Sequence, residues 1–164
     1  MLEALTKGEL FPETSQKLGH RWEREVFGLS SAHFIRPEGK VAWEKAFLDM
    51  ISAQESLGWD PRKPKTAMAR EMFKNIQGSL PFRLAGDLQM YCALGTRIDF
   101  QYGIDGLFTA REYLVTFDLC TYKKEVIKAQ VLLGKKEILK GLSEITDKFY
   151  ELIRKGKPIP PQEE

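Results

Sequence analysis

Asp105 and Asp118 stand thirteen residues apart, each inside an apolar run, Ile104-Asp-Gly-Leu-Phe108 and Leu114-Val-Thr-Phe-Asp-Leu119. An ionised carboxylate in such surroundings is costly unless it is paired or bound to a cation. If Thr109 to Glu112 forms a tight hairpin turn, the two acids meet on neighbouring strands. Two like charges in one site raise the pKa of one of them unless a divalent cation compensates, and hard oxygen ligands favour Mg2+ or Mn2+. Either acid alone could instead cap a turn or pair with an arginine such as Arg97 or Arg111.

A third acid comes from an amphipathic segment near the start of the chain. Stepping by about 100° per residue from Trp22, Glu23 falls inside the arc made by Trp22, Val26 and Phe27, Glu25 at its margin, and Arg24 on the side that faces solvent or a polyanion. The plainer alternative has Glu23 pairing with Arg21 or Arg24. Glu71, one residue before Met72-Phe73, is a rival helix acid. Asp99, in Arg97-Ile-Asp-Phe100, lies six residues before Asp105 and can either join the site or serve as a turn acid.

Several elements must position these residues. Apolar spacing predicts helices over residues 15–29 (Leu18, Trp22, Val26, Leu29), 40–57 (Trp43, Phe47, Met50, Ile51, Leu57) and 66–77 (Met68, Met72, Phe73, Ile76). Residues 88–94, 97–108 and 113–121 are rich in aromatic, β-branched and leucine residues, which predicts three strands. The last is apolar at odd and even positions alike, as a central strand covered on both faces must be. Residues 124–154 read as one long helix or two shorter ones, with Gly134 and Gly141 as possible breaks. Its stripe of Val131, Ile138, Leu142, Ile145, Phe149 and Leu152 can pack on its own sheet or pair with a second subunit as a homodimer.

Composition narrows the class. The chain has 164 residues, 43% of them hydrophobic, which suits one domain over residues 1–155 with a proline-rich tail at 156–164. A net charge of +2 neither requires nor excludes a polyanion partner. Cys92 and Cys120 sit in apolar runs and read as reduced core thiols. No run approaches the roughly 20 apolar residues of a membrane span, and no signal segment is evident, so the expected location is cytoplasmic. His20 and His33 have no metal-ligand spacing. Phosphate-binding glycine loops, nucleophile elbows and zinc patterns are all missing.

The string Lys17-Leu-Gly19-His-Arg-Trp-Glu23-Arg24-Glu25-Val26 is similar to the first-helix signature of archaeal Holliday junction resolvases, members of the PD-(D/E)xK nuclease superfamily. Ile104-Asp105, followed by Asp118-Leu-Cys120 at the end of Tyr-Leu-Val-Thr-Phe, resembles the same family's second and third motifs. The resemblance implies an α/β (α+β) restriction-endonuclease-like core: a mixed central sheet of at least three strands flanked by helices, with residues 30–85 as a helical insertion between first helix and sheet. It implies a metal-dependent DNA endonuclease that hydrolyses phosphodiester bonds, on branched or end-containing DNA, with Glu23, Asp105 and Asp118 holding Mg2+ or Mn2+. The lysine that the pattern puts two residues after the strand acid is Cys120 here. Lys123 is then the expected catalytic cation, with Lys124 close by and Lys128 as a further candidate. DNA would meet Arg24, Arg62, Lys63, Lys65, Lys124 and Lys128. The alternative is a catalytically inactive protein of the nuclease fold, acting as a DNA-binding or assembly module. A third reading makes both aspartates structural and the C-terminal helix an interaction surface.

Overall fold

Buried side chains recur at helical spacing through the first half of the chain, and the elements that result are described in the computed structural model for residues 15–120 and 128–156. Helix α1 (Ser15–Phe27) buries Trp22, Val26 and Phe27. Gly28 ends it in the left-handed region, φ 78°, with its N–H on the Arg24 carbonyl. A short 3-10 turn (Ser31–His33) follows, then α2 (Trp43–Ala53) and α3 (Ala67–Ser79). Thr66 caps α3 by accepting from the Ala69 N–H, and its hydroxyl donates to the Val26 carbonyl at 2.6 Å. One side chain thus satisfies the start of α3 and the end of α1 together.

After a single turn of helix, α4 (Phe82–Ala85), the chain enters the sheet. Strands β1 (Leu88–Cys92), β2 (Gly106–Ala110), β3 (Tyr113–Cys120) and β4 (Val131–Gly134) lie side by side in that order. The first two pairings are antiparallel and β3 with β4 is parallel, so the molecule is α+β with a mixed sheet. The hairpin turn expected over Thr109 to Glu112 is shorter than that: Thr109 and Ala110 are still paired in β2, and Arg111 and Glu112 alone make it, Arg111 taking the left-handed conformation, φ 56°.

Two sequence expectations change. Residues 97–108 do not form one strand: α5 (Arg97–Tyr102) takes the first half, and β2 starts only at Gly106. Ile98 and Tyr102, four apart, are buried along one face of α5, and Gly103 closes it at φ 68°. Nor does a helix fill residues 128–137. Val131 and Leu133 are buried while Leu132 is half-buried, a period of two that seats β4 beside β3.

The helix that follows, α6 (Ile138–Lys155), buries Leu142, Ile145, Phe149 and Leu152 in the same cluster as α1, α3 and the inward side chains of β1 to β4. Its stripe is therefore occupied by the chain's own sheet, which removes the basis for a dimer through that helix. Gly141 is no helix break either. A Cβ there would lie 2.4 Å from Leu133 Cδ2 and 3.1 Å from the Leu132 carbonyl, so the glycine allows α6 to approach β4 closely. On the opposite face α2 and α5 cover Tyr91, Ile104 and Leu107. The central strands are buried on both faces, as the composition of β3 requires. No helix among the described residues is long and apolar enough to cross a membrane.

The outer edge of β1 is closed by side chains and linker. Gln54, 4% exposed, donates its amide to the Met50 and Cys92 carbonyls and accepts from the Cys92 N–H. Trp59 donates its indole N–H to Met90, whose own N–H bonds to Pro61. These contacts occupy ladder positions that an edge strand would otherwise leave open.

Gly106, first residue of β2, is a second point of close approach between helix and sheet. A Cβ there would fall 2.4 Å from Phe117 Cζ and 2.7 Å from Phe27 Cζ. Gly106→Ala is expected to lose about 1–3 kcal/mol by overpacking, read as a lowered urea midpoint with unchanged slope. An unshifted midpoint would mean that the two rings have room to move.

Candidate active site

Each acid reaches the site for a local reason. Gly106 pairs with Phe117, so Asp105, just ahead of β2, and Asp118, just past Phe117, arrive at the same end of the hairpin. Asp105 is not strand-borne, as the sequence suggested, but sits in the short link from α5. Its N–H bonds to the Phe117 carbonyl at 3.0 Å and its Oδ2 accepts from the Leu119 N–H at 2.8 Å. The carboxyl thus caps β3 where the ladder ends. It lies within hydrogen-bonding reach of Asp118 on one side and Asp99 on the other.

Asp99 comes from the first turn of α5 and accepts from the Gly95 N–H at 3.1 Å. Glu23 comes from α1, on the other side of the sheet. It is 8% exposed, as are Asp118 at 8% and Asp105 at 6%. Glu23 does not pair with Arg21 or Arg24: its Oε1 accepts from the Ser31 N–H at 2.8 Å and the Ser31 hydroxyl at 3.1 Å. Glu71, the rival acid, is exposed and lines an apolar groove between α3 and α6 with Met68, Met72 and Leu142. The wheel position of Glu23 thus predicted its burial.

Four carboxylates from both layers and the sheet affect one another. Burial pushes Asp105 well above the ordinary carboxylate range, followed by its hydrogen bond and repulsion with Asp118 and by the charges of Asp99 and Glu23. Asp99 is pushed up to about 7, first by burial, against the Gly95 N–H that favours its ion, with Glu23 and Asp118 adding repulsion. Oxygen-only donors that repel each other at close quarters suit a hard divalent cation. Even so, among the described residues no three His, Cys, Asp or Glu side chains are already set as a metal cage. Asp105, Asp99 and Glu23 are each turned toward a protein donor instead.

One loop ties the helix acid to α5. Ser31 holds Glu23, and the Phe34 ring covers Gly95, where a Cβ would come within 2.5 Å of it. Arg36 donates to the Phe100 carbonyl at 2.9 Å with its guanidinium over the Phe100 ring, and Arg97 donates to the Glu38 carbonyl. Val41 exchanges two hydrogen bonds with the Gln101 amide and accepts one from the Tyr102 hydroxyl. Neither the reach from Ser31 back to Glu23 nor the lacing of this loop to α5 has a sequence signal, because both are tertiary contacts between polar groups of ordinary spacing.

The predicted cations divide. Lys123 and Lys124 lie outside the described residues. Lys128 is not on a helix: its stem lies over Gly103, with Cδ 3.3 Å from where a Cβ would sit, two residues before Asp105. Cys120, buried in β3, holds the strand position two residues past Asp118; Cys92 is buried too, and neither is in a disulfide. Arg24 is exposed on α1, and Arg62 and Lys63 are exposed in the linker along β1, Arg62 near enough to act on the Tyr91 hydroxyl. Lys65 has a structural position: its Nζ would lie 3.4 Å from a Cβ on Gly58 and 3.7 Å from one on Gly28, where α1 ends. A cation there complements the negative end of the helix. Glu25 pairs with Lys135.

Comparison with family models, curated proteins and solved structures gives no match.

The raised carboxyls make stability depend on pH with a definite sign. Unfolded, these acids release protons near 3.8, whereas the folded protein keeps Asp99 protonated to about pH 7 and holds Asp105 well above the ordinary carboxylate range. The native state binds more protons across that interval, so in metal-free buffer stability falls as pH rises from about 4 to 7. Asp105→Asn, which keeps an oxygen for the Leu119 N–H but cannot ionise, is expected to flatten this fall and raise the urea midpoint at neutral pH. Stability that climbs over the same range contradicts the shared-charge site.

Proposed function

We propose that this chain is a metal-dependent DNA endonuclease of the PD-(D/E)xK type, with Glu23, Asp105 and Asp118 as its Mg2+ or Mn2+ ligands. The observation that supports the reading is the convergence of a buried α1 glutamate with two aspartates at one end of a mixed sheet, the three positions that carry the motif resemblance. The fit lies in the donor set: all ligands are carboxylate oxygens, and their mutual repulsion would be relieved by a divalent cation.

Bound there, such an ion would activate a water for attack on phosphorus and neutralise charge on the scissile phosphate. The chain's own residues do the rest. Asp105 and Asp118 are fixed by the hairpin and the Leu119 N–H, so their oxygens present a rigid, water-poor surface to the phosphate. Lys128 brings a cation to the link that carries Asp105, with Lys123 and Lys124 as the cations nearest to the end of β3 in sequence, in place of the lysine that Cys120 displaces. Arg24, Arg62 and Lys63 are exposed and can neutralise flanking phosphates. Hydrolysis then proceeds by direct water attack on the phosphodiester, with no covalent enzyme intermediate.

Cys120 favours a second reading, a protein of the same fold that binds DNA or organises an assembly without cutting. A buried thiol cannot supply the fixed positive charge of a lysine at that position. One set of reactions separates the two. Linear, single-stranded and four-way-junction DNA are incubated with the protein in Mg2+ or Mn2+, beside Asp118→Asn and Cys120→Lys. Cleavage that falls at least about 100-fold in Asp118→Asn is the expected result. An inert wild type with an active Cys120→Lys favours the binding module, and a protein that binds neither metal nor DNA defeats both.

A further inference from the structure

We draw no further inference here: the strongest candidate, the apolar groove between α3 and α6 lined by Met68, Met72, Ile138, Leu139 and Leu142, carries nothing because nothing in the structure shows what covers it.

Discussion

Carboxylates brought together out of water cannot all be ions without a compensating charge, and the candidate site is organised around that constraint. Asp105 stands at its centre, within hydrogen-bonding reach of Asp99 and Asp118 and under the field of Glu23. The protein meets the constraint with fixed donors: the Leu119 N–H for Asp105, the Gly95 N–H for Asp99 and the two Ser31 donors for Glu23. A cluster arranged in this way keeps protons that an unfolded chain would release. It is therefore a place where protons and divalent cations compete for the same oxygens.

Close helix packing makes the convergence possible. At Gly106 the rings of Phe27 and Phe117 occupy the space a side chain would take, and at Gly141 the α6 backbone comes down on Leu132 and Leu133. Phe27 is four residues beyond Glu23 on α1, so the contact that seats the helix also sets the height of the acid. Thr66 secures the far end of the same helix through the Val26 carbonyl. Stability and site geometry are in this sense carried by the same few contacts.

Much of this was legible in the sequence because burial leaves a periodic trace. The wheel position of Glu23, the hairpin between Asp105 and Asp118 and the two-sided burial of β3 follow from apolar spacing alone. Legibility failed where period and composition disagreed. The Arg97–Tyr102 segment carries strand-forming residues, yet Ile98 and Tyr102 are spaced for a helix and Gly103 supplies its end. Val131–Gly134 is too short for its alternation to stand out beside the long helix that follows. The bonds from Ser31 back to Glu23 cross a helix end, and the lacing of the Phe34–Val41 loop depends on side-chain bonds across sixty or more positions; no local pattern encodes either.

The indole of Trp22 donates to the Leu133 carbonyl at 2.9 Å across 111 positions of the chain. That bond sets an order on assembly. Helix α1 is synthesised well before β4, yet its seat includes that strand. Glu23 can form its turn of helix early, yet α1 takes its final seat only once β4 is paired. Glu23 thus joins a cluster whose other members, Asp99, Asp105 and Asp118, are brought together by α5 and the β2–β3 hairpin without it.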